Sequence, residues 1–284
     1  MHYRLVAIDL DGTLLDSTKR IPADNLSAIE EISGAGVAVA VVSGRRFSSL
    51  RRLLAPLHPV YVAANSGAIV KESLEGAILR RRMLPLTTAC EILRFAQEFP
   101  MEPVVHDGPN GEGHIILRSS ARDLPSLKRY LGDRQPNADW VDDFELQRDP
   151  VQIGFTEGVD SIRAFEKALR HTLDPRCLGF ATARTEYADE DFALLDVLSE
   201  EATKAKALEF LASHLGITLE ETIAIGDNWN DVEMLERAGL GVVMGNASSA
   251  LRAQGLATTS TNDDAGVAEA IRRYVLSSED KKRG

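Results

Sequence analysis

Asp9 and Asp11 stand one residue apart at the end of the apolar run Leu5 to Ile8, and Gly12 and Thr13 follow at once in the stretch LVAIDLDGTLLD. A buried strand would carry Asp9 to the carboxyl edge of a sheet, where open α/β sheets bind ligands, and Asp11 would enter the same crevice. Carboxylates held that close repel, so the pair is stable only with a cation between them or a proton on one. Either state serves phosphoryl transfer. An EF-hand calcium loop is excluded, because it needs a further ligand near Thr13 and a glutamate at its twelfth position, where Arg20 stands.

Three more segments carry groups that suit a phosphate and a hard cation. VVSGRR ends an apolar run with Ser43, followed by Gly44 and Arg45. A hydroxyl and exposed amides at a strand end suit a phosphate oxygen, and equally a helix cap. EEATKAKAL, residues 200–208, offers Lys204 and Lys206 at the start of a helix. IAIGDNWNDVEML, residues 223–235, places Asp227 at a strand end and Asp231 four residues later. Both can give oxygen to Mg²⁺, which takes one or two protein carboxylates alongside water and substrate phosphate.

The elements that must position these groups read as parallel crossover units at both ends of the chain. Strands are expected at Leu5 to Leu10, Val37 to Val42, Val60 to Ala64, Thr222 to Ile225 and Leu240 to Met244. Helices are expected over 24–33, 204–214, 230–238 and 264–276. The fold class is therefore α/β, a doubly wound parallel-sheet core built from residues 1–83 and 189–284. Between them, residues 84–188 read as an inserted α/β cap domain. It has a helix up to Phe99, extended runs at Pro103 to His106 and His114 to Arg118, and a proline-punctuated segment to Pro150. Strand 151–156, helix 158–171 and strand 178–183 then follow. His106, His114, Arg118, Arg184, Glu186 and Tyr187 are polar residues of the cap or its hinge and form no constellation by spacing.

The 284 residues carry a net charge of −11, which disfavours a nucleic-acid or anionic-membrane partner. The arginines at 45, 46, 51, 52 and 80–82 read as solvated faces, Arg45 excepted. Cys90 and Cys177 are far apart, outside any redox or metal spacing. With neither a signal peptide nor a membrane span in the pattern, a cytoplasmic protein is expected, a monomer or small homo-oligomer acting on a small metabolite.

In order, the four segments resemble the signatures of the haloacid dehalogenase superfamily, and the insertion between the second and third resembles its Cof-like subclass IIB. The resemblance implies a Mg²⁺-dependent phosphatase. Asp9 would be the nucleophile and Asp11 the general acid and base, whose pKa must then exceed that of Asp9. Ser43 and Lys204 would hold the phosphoryl group, while Asp9, Asp11 through its main-chain carbonyl, Asp227 and Asp231 would hold the metal. Gly12, Thr13, Gly44, Arg45, Asn65, Asn230 and Asn246 match motif positions that face substrate or phosphate. Two departures stand out: Ala205 replaces the glycine of the lysine motif, and Ser66 is inserted between Asn65 and Gly67. VVMGNA, from Val242, and NDDAGVAEAI, from Asn262, resemble the branch's closing segments. Sugar phosphates are the leading substrate class, with nucleotides and phosphorylated cofactors behind them. A phosphosugar mutase and a non-catalytic phospho-ligand-binding protein are the rival readings.

Overall fold

A computed structural model describes residues 2–57, 60–108, 114–132, 138–173, 179–184 (backbone alone) and 191–277. Cys177, Glu186 and Tyr187 lie outside the described residues, as does the side chain of Arg184. The elements in chain order are β1 (Leu5–Asp9), α1 (Ala23–Gly34), β2 (Ala38–Val42), α2 (Phe47–Leu53), β3 (Tyr61–Ala64), β4 (Ile69–Lys71), β5 (Ile78–Arg81), α3 (Leu86–Ala96), β6 (Pro103–Asp107) and β7 (His114–Arg118). They continue with α4 (Pro125–Leu131), β8 (Ala138–Val141), β9 (Gln152–Glu157), α5 (Val159–Thr172), β10 (Gly179–Arg184), β11 (Ala193–Leu198) and α6 (Lys204–His214). The last are β12 (Thr222–Gly226), α7 (Val232–Arg237), β13 (Leu240–Val243), α8 (Ser249–Arg252), β14 (Ala257–Thr258) and α9 (Gly266–Ile271).

The chain divides into two compact units, Met1–Arg45 with Ser49–Arg80 and Thr203–Gly284, and Arg46–Ser48 with Arg81–Ala202. The first holds a sheet in the order β14-β13-β12-β1-β2-β3-β4-β5. β1 pairs parallel with β2 on one side and β12 on the other, so the strand order reverses beside it. Leu5, Val6, Ala7 and Ile8 are wholly buried, as expected of a strand covered on both faces. Leu5 and Ala7 pack with Leu208 and Leu211 of α6 and Met234 and Leu235 of α7. On other elements of this unit, α1 packs against α9.

The second unit is a six-stranded sheet in the order β10-β11-β9-β6-β7-β8, antiparallel at β6–β7, β6–β9, β9–β11 and β10–β11 and parallel at β7–β8. One face sets Val105, Ile153, Phe155 and Leu195 against Ile92 of α3 and Phe165 of α5. Val104, Ile115 and Leu117 pack with Leu127 of α4. The proline-punctuated segment to Pro150, to which no element is assigned from the sequence, holds α4 and β8. Pro125 occupies the first turn of α4, where a proline lacks no needed N–H. β11 extends the cap sheet past residue 188, and the chain re-enters the first unit at Thr203. No helix among the described residues is long and apolar enough to cross a membrane.

Candidate active site

Asp9 ends β1 and is buried. Beyond it the chain turns back tightly: Leu14 N–H donates to the Asp9 carbonyl at 3.2 Å and Leu15 N–H to that of Leu10 at 2.9 Å. Gly12 makes this turn with φ +80°, a conformation that favours glycine, and a Cβ there would lie 2.4 Å from Oδ2 of Asp227. Thr13 Oγ1 donates to Asp227 Oδ1 at 3.0 Å, tying this loop to the end of β12.

Asp9, Asp227 and Asp231 offer carboxylate oxygens that all lie within 4.8 Å of one another. Lys204, the first residue of α6, is buried and donates from Nζ to Asp9 Oδ1 and Asp231 Oδ1, each at 2.6 Å. Thr203 caps α6 by accepting from Lys206 N–H at 3.1 Å, which starts the helix where Lys204 can reach both acids. The other oxygen of Asp231 accepts from the N–H groups of Asp227 at 3.3 Å and Asn228 at 3.1 Å. Gly226 has no room for a Cβ, which would lie 2.6 Å from Cβ of Asp231.

Burial raises the Asp9 carboxyl well above its ordinary range, the charges of Asp231 and Asp227 add to this, and Lys204 opposes it. Burial disfavours the Lys204 ammonium, but the two carboxylates outweigh it and hold the proton more firmly than usual. Asp11 turns elsewhere. Its carboxylate accepts two hydrogen bonds of 2.5 Å from Arg45 Nε and Nη2 and lies 3.5 Å from Lys19 Nζ. Burial would raise it, yet the guanidinium and ammonium win and keep it below the ordinary range. The expected order, Asp11 above Asp9, is thus reversed among the protein's own groups, because burial and two neighbouring carboxylates raise Asp9 against Lys204, while Arg45 and Lys19 overcome the burial of Asp11.

Ser43 is buried at the end of β2, with its Oγ accepting from Arg45 N–H at 3.1 Å. Gly44 is half-buried beside it. Asn65 and Ser66 take the left-handed conformation with φ 50° and 55°, and Gly67 follows at 95°. This turn absorbs the inserted Ser66 while Asn65 stays buried, its N–H on the Arg45 carbonyl at 2.9 Å. A Cβ on Gly67 would lie 2.6 Å from the Thr203 carbonyl, so the turn also lets α6 approach. Asn230 is exposed on the turn before α7, apart from these contacts. Asn246 Nδ2 donates to the Gly12 carbonyl at 2.8 Å. The sequence reading assigns no role to Lys19 or to Asn262. Lys19 sits in a left-handed turn without motif spacing, while Asn262 opens the segment NDDAGVAEAI.

The donor set fits a hard divalent cation. Its ligand atoms are all carboxylate oxygens, and two buried carboxylates and a half-buried one against one ammonium leave negative charge that such an ion neutralises.

A sequence profile of the haloacid dehalogenase-like hydrolases matches residues 6–271. The phosphatase YwpJ of Bacillus subtilis is 30% identical, over 96% of this chain and 100% of its own. The pyridoxal phosphate phosphatase YbhA of Escherichia coli is 26% identical, over 97% and 100% respectively. The solved structure of a haloacid dehalogenase-like hydrolase from B. subtilis superimposes with a TM-score of 0.78 at 27% identity, covering 96% of this chain and 100% of that one. The chain belongs to the haloacid dehalogenase-like hydrolase family. Within that family it is a phosphoric monoester hydrolase.

Proposed function

We propose that the chain hydrolyses small phosphomonoesters, sugar phosphates foremost, with Mg²⁺ and through an aspartyl-phosphate intermediate on Asp9. The observation that carries the reading is the cluster of Asp9, Asp227 and Asp231 at the ends of β1 and β12, with buried Lys204 bridging Asp9 and Asp231. In the first step Asp9 attacks phosphorus, the bond to the leaving oxygen breaks, and Asp11 gives that oxygen its proton. In the second, water attacks the same phosphorus, Asp11 takes a proton from it, and the Asp9 carboxylate is restored as phosphate leaves. Ser43 Oγ, the Gly44 amide and Lys204 Nζ hold the phosphoryl oxygens as their charge shifts.

Asp9, Asp227, Asp231 and the main-chain carbonyl of Asp11 would hold Mg²⁺. When bound, it neutralises the carboxylates and the phosphate, which favours ionised Asp9. We assign Thr13, Arg45 and Asn246 to positioning, since each is engaged with another group of the site. The reading also makes the protein cytoplasmic, a monomer or small homo-oligomer, with a small phosphorylated metabolite as its partner and residues 84–188 as the seat of leaving-group specificity.

The test is phosphate release from sugar phosphates, nucleotides and pyridoxal phosphate, with Mg²⁺ or EDTA, by wild type beside Asp9→Asn. The expected result is metal-dependent release that falls by roughly 10⁴-fold or more in the variant. Full activity in Asp9→Asn would overturn the nucleophile. Interconversion of sugar monophosphates in place of release would identify a mutase, and ligand binding without turnover a non-catalytic protein.

A further inference from the structure

The turn after β1 presents three carbonyls to asparagine side chains remote in sequence. Asn246 Nδ2 donates to the Gly12 carbonyl at 2.8 Å, Asn262 Nδ2 to that of Leu15 at 2.9 Å, and Asn25 Nδ2 to that of Leu14 at 3.4 Å. Two of the asparagines are linked directly, for Asn262 N–H donates to Asn246 Oδ1 at 3.0 Å. Asn246 is therefore held at both ends of its amide, with its nitrogen on Gly12 and its oxygen on the segment that leads into α9. Asn25 Oδ1 accepts from Ala268 N–H of α9 at 2.9 Å, a contact that joins α1 to α9 and leaves the Gly12 carbonyl alone.

Gly12 is the pivot of this arrangement. Its φ of +80° and its approach to the Asp227 carboxylate fix it on one side, and Thr13 Oγ1 is anchored on Asp227 as well. Asn246 fixes the carbonyl on the other. Glycine has the widest conformational freedom of any residue, so an unanchored Gly12 would let the adjoining Asp11–Gly12 peptide rotate.

We infer that Asn246 and Asn262 are positioning residues for the metal site, orienting the main-chain carbonyl of Asp11 through the Gly12 peptide that they hold. The inference rests on the proposed reading of the site, in which that carbonyl is a ligand. Groups that orient ligands in this way typically contribute 10- to 100-fold in metal affinity.

The experiment is calorimetric titration of Mg²⁺ into the substrate-free protein, for wild type, Asn246→Ala, Asn246→Asp and Asn262→Ala. Melting temperatures in EDTA check that each variant folds, and KM is measured at saturating Mg²⁺. Asn246→Asp keeps an acceptor for Asn262 N–H but sets a carboxylate oxygen against the Gly12 carbonyl. The expected result is Mg²⁺ affinity weakened roughly 10- to 100-fold in both Asn246 variants. Asn262→Ala should weaken it in the same direction, and KM should stay unchanged throughout. Wild-type Mg²⁺ affinity in every variant would overturn the inference alone, as would a raised KM with unchanged metal affinity, which would make Asn246 a substrate contact. A wild type that binds no Mg²⁺ would overturn the inference together with the reading beneath it.

Discussion

Arg45 grips Asp11 with two nitrogens, each 2.5 Å from a different carboxylate oxygen. Such a paired arrangement is the strongest an arginine makes with a carboxylate, and it opposes protonation of the group assigned as general acid. Replacing Arg45 by alanine should therefore raise the Asp11 pKa. The expected outcome is an alkaline limb of the kcat/KM profile moved to higher pH, since the acid then keeps its proton further up the scale. A profile of unchanged position would remove Arg45 from the control of Asp11.

Lys204 and Lys206 are two residues apart and occupy opposite environments. Lys204 is buried on Asp9 and Asp231, while Lys206 is half-exposed, 3.7 Å from Glu209. Lys204→Ala leaves two buried carboxylates without their shared cation and removes a donor to the phosphoryl group. The expected loss in kcat is roughly 10²- to 10³-fold, as for other preorganised charge-stabilising groups. Lys206→Ala should stay near wild type. Steady-state rates for the two variants decide the assignment, and equal activities would overturn it.

The core was legible in the sequence because its strands are buried on both faces and read as unbroken apolar runs, each ending at a chemical group: Asp9, Ser43 and Asp227. Parallel crossovers of that kind announce themselves locally. The cap did so less well. Its strand order β11-β9-β6-β7 depends on pairs such as Gly154 with Asp196 and His106 with Gln152, partners more than 40 residues apart, and short strands carry no local record of register. α4 was hidden by Pro125, since a proline reads as a breaker unless it falls in a first turn. At the site, residue identity announced Asp11 and its partner Arg45 but not Lys19. The spacing of Lys19 carries no signal, and the two cations depress a carboxyl expected to lie above that of Asp9.

Within the second unit, His106 and Asp196 make opposite contributions to the dependence of stability on pH. Burial, with the charge of Arg46, holds buried His106 down to about 3, and its Nε2 lies 3.0 Å from Tyr130 Oη. Burial pushes Asp196 up to about 7, against Arg46 and a 2.8 Å hydrogen bond from Gln152 Nε2. The unfolded chain protonates His106 more readily, so that contribution is complete above pH 6.5 and is lost as pH falls towards 3. The folded chain protonates Asp196 more readily, so that contribution is complete below pH 3.8 and is lost as pH rises through 7. The two slopes oppose each other across the overlap. Melting temperatures from pH 4 to 8 should fall on acidification more steeply for Asp196→Asn than for wild type, and less steeply for His106→Gln. Parallel curves for all three proteins would overturn the assignment.

Gly12 offers the sharpest test of how closely the first loop must approach β12. An alanine there meets two obstacles at once. Its φ of +80° lies in the left-handed region, which costs an ordinary residue about 1–2 kcal/mol, and its Cβ would strike the Asp227 carboxylate. Relief requires the Asp227 carboxylate or the loop to give way, and either movement disturbs the 3.0 Å hydrogen bond from Thr13 and the acidic cluster to which Asp227 belongs. Gly12→Ala should therefore lose phosphate release roughly 10²-fold or more, because small displacements at a reacting centre are that costly. Its melting temperature should drop only by what the strain explains. Gly36, also at positive φ but with open space around it, is the control. Gly36→Ala carries the same backbone cost without the collision, and it should lower the melting temperature while leaving the rate intact. If both variants keep wild-type rates, the close approach of Gly12 to Asp227 is not required for turnover.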